Sequence, residues 1–277
     1  MNHTEGYFKS VRNANIYYQG WLPDGGVKAV LLIIHGLGEH SGRYTNVINH
    51  FVPLGYAIYG FDHIGHGKSD GEREVIDRFE DYIGPLTIYL NMVKAWQPGK
   101  PIILFGHSLG GLIAVYYLLD HQAEFKGAVI SAADITIPKN ISPLTVTMGN
   151  IISSISPKTG GMALDATRIS RDPEVVKAYV NDPLVFHAKT PARLAAEMLK
   201  AMLRVTAELG KITLPFITVQ GSADELVAPG DAQLLYDKAS SKDKTIKVYE
   251  GFYHEVFNEP GRAIVLNDVE VWLRAHV

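Results

Sequence analysis

Three side chains in this sequence could together perform nucleophilic chemistry: a serine set between glycines, and a carboxylate and a histidine far downstream. The serine is Ser108, in the stretch PIILFGHSLGGLI from residue 101 to 113. A short apolar run, Ile102 to Phe105, leads straight into Gly106-His107-Ser108-Leu109-Gly110, and a second apolar stretch, Leu112 to Leu119, follows with no spacer. The pattern reads as strand, sharp turn and helix, with the hydroxyl at the apex of the turn. Glycine is needed two residues to either side because a side chain there would strike the neighbouring strand or helix. The same five-residue pattern recurs at Gly67-Lys68-Ser69-Asp70-Gly71, inside the polar loop FDHIGHGKSDGERE. That loop is not a strand-to-helix junction, so Ser69 reads as a turn residue.

A serine hydroxyl is a poor nucleophile at neutral pH and needs a base, usually histidine, which a carboxylate must orient. Where the nucleophile sits on a strand-turn-helix elbow, the acid and then the histidine follow it along the chain, on loops beyond later strands. The histidines past Ser108 are His121, His187, His254 and His276. His121 ends the helix after Ser108, His187 lies in a long interval without strands, and His276 is the penultimate residue. Only His254, in GFYHEVFNEPG, falls just past a strand-like segment, KTIKVYE. The acid is expected after the preceding strand, LPFITVQG, where Asp224 stands in GSADELVAP; Glu225 is adjacent and Asp231 lies beyond Pro229. Asp182, in NDPL, suits a helix cap or a turn. Acyl transfer also develops an oxyanion, which preorganised N–H groups must meet. Leu109, the residue after the nucleophile, supplies one donor and Leu37, in the loop HGLGEH, the other. The chemistry calls for no metal or organic cofactor.

The elements that must hold these residues alternate. GYFKS (6–10) and ANIYYQGW (14–21) read as a hairpin. The aliphatic runs at 27–36, 56–62, 126–132 and 214–221 read as strands covered on both faces, and 244–251 as a further strand. Helical patterns are expected at 43–54, at 75–96 with Phe79, Tyr82, Ile83, Leu86, Leu90 and Val93 near helical spacing, at 229–240 and at 262–275. This predicts an α/β fold with about eight strands in a mostly parallel sheet, covered by helices. Residues 1–132 and 214–277 form the core in this reading. The interval 133–213 has no convincing strand and is too long for a loop. It is expected to be a helical cap, with one stripe at Ile141, Leu144, Met148, Ile151, Ile152 and Ile155 and a second helix from Pro191 to Leu209.

The chain of 277 residues is 47% hydrophobic and 20% charged, with a formal net charge of −3. It therefore lacks the basic character of a nucleic-acid binder. Cysteine is absent, which excludes disulfides and thiolate catalysis. The polar start, MNHTEGYFKSVRNANIYYQG, has no apolar core of a signal peptide, and no apolar run reaches the roughly 18 residues that span a bilayer. A cytoplasmic protein is expected. The interval 133–213 is net basic while the rest is net acidic. An apolar, basic cap suits peripheral contact with an anionic membrane surface; packing of its apolar stripe onto the core accounts for the same pattern.

Taken together, HGLGEHSGRY (35–44), FDHIGHGKSDG (61–71), FGHSLGG (105–111), NDPL (181–184), QGSADELVAP (220–229) and YEGFYHEVFNEP (249–260) resemble the monoacylglycerol lipases, a family of α/β-hydrolases. The resemblance covers residues 15 to 275. It implies a serine hydrolase that cleaves monoacylglycerols to fatty acid and glycerol. Ser108 would be nucleophile, His254 base, Asp224 its orienter, and Leu37 and Leu109 the oxyanion donors. It also implies a mobile cap after the sixth strand that admits acyl chains and touches membranes. Lysophospholipases and general carboxylesterases share many of these motifs, and the fold also serves as a non-catalytic small-molecule receptor. The missing cysteines depart from some family members, which carry them near the site.

Overall fold

A computed structural model describes residues 1–137, 153–161 and 163–277. Its strands are β1 (Asn2–Lys9), β2 (Asn15–Leu22), β3 (Ala29–Ile34), β4 (Tyr56–Phe61), β5 (Ile102–His107), β6 (Gly127–Ser131), β7 (Phe216–Gly221) and β8 (Lys244–Tyr249). They form one eight-stranded sheet in the order β1-β2-β4-β3-β5-β6-β7-β8. β1 pairs antiparallel with β2, and β2 with β4; every other pairing is parallel. Strands β3 to β7 are buried along their whole length. This is why they read as continuous aliphatic runs rather than alternating ones.

The helices lying wholly within the described residues are α1 (Thr45–Phe51), α2 (Glu80–Trp96), α3 (Leu109–His121), α4 (Pro173–Asn181), α5 (Ala192–Glu208), α6 (Gly230–Lys238) and α7 (Arg262–His276). Successive residues of β3 point to opposite faces. Val30, Leu32 and Ile34 pack into the layer formed with α2, α3 and α5, whereas Leu31 and Ile33 pack against α1 and α7.

Two helices differ from expectation. The pattern from residue 75 becomes helical only at Glu80, because the Asp81 carboxylate accepts the Asp77 N–H at 2.8 Å and folds the preceding residues into a turn. Helix α4 was not foreseen, although its start is written in the chain. Asp172 accepts the Glu174 N–H at 3.0 Å and Pro173 occupies the first helical position, both start signals. Between β6 and β7 lie α4 and α5, the latter matching the pattern from Pro191. The apolar recurrence from Ile141 to Ile152 lies outside the described residues, and Ile155 is exposed.

Candidate active site

β5 runs between β3 and β6 and delivers Ser108 to the end of the sheet, immediately before α3. Ser108 has φ 55° and ψ −121°, a conformation that costs a non-glycine residue about 1–3 kcal/mol. The neighbouring packing enforces it. A Cβ on Gly110 would lie 2.0 Å from the Ile34 carbonyl oxygen, and one on Gly106 would lie 2.5 Å from that of Gly110. The glycines thus let α3 approach β3 and β5 closely enough to hold the turn, and the Ser108 N–H is tied to the Ser131 carbonyl of β6 at 3.0 Å.

Asp224 follows β7 and His254 follows β8. His254 Nδ1 and Asp224 Oδ2 are 2.9 Å apart, and both side chains are buried. Asp224 Oδ1 accepts the N–H groups of Leu226 and Val227 at 2.9 and 3.0 Å, so the carboxylate cannot rotate away from the imidazole. Burial alone would raise the Asp224 pKa, but the His254 charge and these hydrogen bonds hold it below the ordinary carboxylate range. Burial would likewise lower the His254 pKa, yet Asp224, Glu255 and Asp134 outweigh it and raise it. A base must be neutral to accept a proton. kcat/KM is therefore expected to rise with pH and to level off only above about pH 6.5, the ordinary histidine value. A pH-rate profile with its inflection below that value would contradict the charge balance. The raised His254 pKa stabilises the fold below the unfolded-state value and is lost as pH rises through the folded one. The lowered Asp224 pKa stabilises above its unfolded value and is lost on acidification.

Ser108, His254, Leu37 and Leu109 line one cavity of about 470 Å³. The N–H groups of Leu37 and Leu109 have no acceptor among the described residues; that of Leu109 opens α3, where the first amides lack partners within the helix. Ala163, Leu164, Met198, Leu226 and Val227 give the cavity an apolar wall. Arg168, paired with Glu225 at 2.6 Å, stands in its partly exposed rim.

Behind the cavity lies an ion cluster that sequence reasoning missed. Arg43 donates from Nη1 and Nη2 to Glu255 at 2.7 and 2.8 Å, and from Nη1 to Glu39 at 2.7 Å. Glu39 Oε1 accepts the Gly36 N–H at 2.6 Å and the Tyr44 hydroxyl at 2.8 Å. One guanidinium therefore fixes the loop bearing Leu37 and the residue next to His254. It also sits 4.5 Å from the Tyr179 ring centroid on α4. Burial opposes ionisation of Glu255, but the charge and hydrogen bonds of Arg43 hold its pKa down at about 2. The legible signal was HGLGEHSGRY, in which Glu39 and Arg43 are four apart. Asp182 both fixes a turn, accepting the Leu184 N–H at 2.9 Å, and meets His40 Nε2 at 2.9 Å. Asp182→Ala is expected to lower stability by about 1 kcal/mol, read from urea unfolding.

The other sequence candidates lie elsewhere. Ser69 Oγ accepts the Tyr17 N–H at 2.9 Å and donates to the Asp62 carbonyl at 2.6 Å, tying a loop to β2. His187 packs on Tyr179, His121 on Tyr117 and His276 on Trp272. Asp231 accepts the backbone N–H groups of Ile135 and Thr136, both at 3.0 Å. No helix among the described residues is long and apolar enough to cross a membrane.

The chain also matches known sequences and structures. The sequence profile of the serine aminopeptidase S33 family matches residues 25–261. The chain belongs to this family. Among family relatives, a monoacylglycerol lipase of Mycolicibacterium smegmatis is 34% identical over 274 residues, covering 99% of this chain and 98% of that protein. The human monoglyceride lipase is 33% identical over 261 residues, 93% of this chain and 86% of its own. The crystal structure of the Paleococcus ferrophilus monoacylglycerol lipase superposes with a TM-score of 0.83 at 28% identity, covering all of both chains. The protein is thus an α/β-hydrolase similar to monoacylglycerol lipases.

Proposed function

We propose that the protein hydrolyses monoacylglycerols to fatty acid and glycerol with Ser108, His254 and Asp224. The observation that carries this reading is a cavity lined by Ser108, His254, Leu37 and Leu109 beside an apolar wall, with His254 held from its far side by Asp224. Ser108 Oγ attacks the ester carbonyl while His254 takes its proton, and Asp224 steadies the imidazolium that forms. The Leu37 and Leu109 N–H groups receive the oxyanion. Glycerol leaves with the proton from His254. Water then attacks the acyl-enzyme with His254 again as base, releasing fatty acid. The apolar wall accommodates the acyl chain.

Residues 133–213 serve in this proposal as the cap over that cavity, a role supported by Leu164, Thr190 and Met198 in its lining. Exposed Ile155, Val180 and Leu203 in the same interval, with its basic excess, support peripheral contact of a cytoplasmic protein with lipid. Turnover of a monoacylglycerol, lysophosphatidylcholine and a triacylglycerol tests the substrate assignment. The monoacylglycerol should be cleaved fastest. If lysophosphatidylcholine leads, the protein is a lysophospholipase; equal rates mark a general carboxylesterase.

A further inference from the structure

Of the three carboxyls in the cavity lining that take no part in the mechanism above, Asp165 meets Thr167, Glu225 pairs with Arg168, and Asp134 is left. β6 ends at Ser131, and Ala132 then adopts φ 43°, a conformation uncommon outside glycine. The kink turns the chain back along the elbow, so that the Asp134 N–H points to the Ser108 carbonyl at 3.4 Å. The next two residues are pinned from below. Asp231 accepts the N–H groups of Ile135 and Thr136, both at 3.0 Å, and the Thr136 hydroxyl at 2.6 Å. Asp134 is thereby held in the cavity lining with Ser108 and His254. Among the described residues its carboxyl has no hydrogen-bond partner.

We propose that Asp134 is a specificity-determining residue that binds a free hydroxyl of the alcohol half of the substrate. The inference rests on the esterase reading above and extends it to the leaving group. His254 returns a proton to the departing alkoxide, so the space around His254 receives the alcohol half. Asp134 is among the charges that act on His254. Asp134 is half-buried, its carboxyl open to the cavity rather than sealed from water, and a ligand that displaces the water there leaves it unpartnered at a cost. A donor on the ligand would relieve that cost, whereas an alkyl group would not. Burial, reinforced by the charges of Asp231 and Asp224 and opposed by His254, raises the Asp134 pKa to about 7. Near neutral pH the group can thus accept from a hydroxyl or, protonated, donate to one.

The test compares kcat/KM on 1-decanoylglycerol and on ethyl decanoate, which share an acyl chain and differ in free hydroxyls, for the whole protein and for Asp134→Leu and Asp134→Ala. In Asp134→Leu the glyceryl-to-ethyl ratio should fall about 10- to 100-fold; loss of the charge beside His254 acts on both esters alike and cancels in the ratio. A ratio unchanged from the parent overturns the proposal, whether both esters fall together, as a supporting role for the elbow would give, or neither falls. Asp134→Ala, which also removes every hydroxyl partner at this position, makes the same comparison should the leucine variant fail to fold. A ratio within about twofold of the parent's in that variant again overturns the idea. Failure of the monoacylglycerol assignment itself would show in the parent alone, as poor turnover of 1-decanoylglycerol beside ethyl decanoate.

Discussion

Ser108→Ala is expected to lower kcat for monoacylglycerol hydrolysis by about 10⁴-fold or more, with substrate binding retained. Removing Oγ removes the atom that forms the acyl-enzyme. The His254–Asp224 pair and the Leu37 and Leu109 amides remain, so the residual rate would come from binding and oxyanion stabilisation alone. Steady-state kinetics with the folded variant checks this; activity within tenfold of the parent would remove Ser108 from the nucleophile role. The same position carries a second expectation, of opposite sign, on stability. Because Ser108 is held at φ 55°, Ser108→Gly should raise stability by about 1 kcal/mol while abolishing activity. Thermal melts of the two inactive variants would separate loss of the hydroxyl from relief of the backbone.

Arg43→Met is expected to be the most destabilising of the substitutions considered, at about 3–5 kcal/mol, or a fall in Tm of roughly 6–15 °C for a domain of this size. Arg43 is buried between Glu39 and Glu255. A methionine would fill part of the volume and leave two carboxyl groups without a counter-charge. They would have to take up protons to stay buried, so the deficit should grow as pH rises from 6 to 8. In the parent the sign is reversed at Glu255, whereas burial still raises the Glu39 pKa. The depressed Glu255 pKa stabilises the fold above the ordinary glutamate value and is lost as pH falls towards about 2. Arg43→Lys should fall between, since an ammonium cannot reproduce the fork that meets both oxygens of Glu255. Activity should fall with stability in Arg43→Met, because Glu39 holds the Gly36 N–H beside Leu37 and Glu255 adjoins His254. Urea unfolding at two pH values is the measurement, and an Arg43→Met variant as stable as the parent would contradict the account.

The sheet was legible because five of its strands are buried on both faces and so are written as unbroken aliphatic runs. The antiparallel hairpin was legible from its aromatic alternation. Ser108, Asp224 and His254 could be singled out because elbow chemistry constrains both local spacing and chain order, and the fold brings them to one end of the sheet. Asp134 had no such signature. In SAADITIP it is one acid in a loop, and only the kink at Ala132 and the grip of Asp231 turn it towards Ser108. The Arg43–Glu255 pair was equally hidden, since charge pairing across the fold leaves no periodic trace. Helix α4 was missed for another reason. Its apolar side is short, only Tyr179 being buried, so periodicity was weak where the Asp172-Pro173 start signal was strong.

The long reach of the ion cluster bears on how the protein is made. Arg43 and Glu255 are 212 residues apart, His50 and Glu270 are 220 apart, and His40 and Asp182 are 142 apart. Contacts of such separation require closure of very large loops before they contribute anything. A nascent chain carries its serine early, but without base, acid or the guanidinium clasp. Hydrolytic competence would then arrive late in synthesis, only after the chain has passed residue 255 and folded back on its first fifty residues. An incomplete product would contain the elbow and remain inert towards the lipids around it.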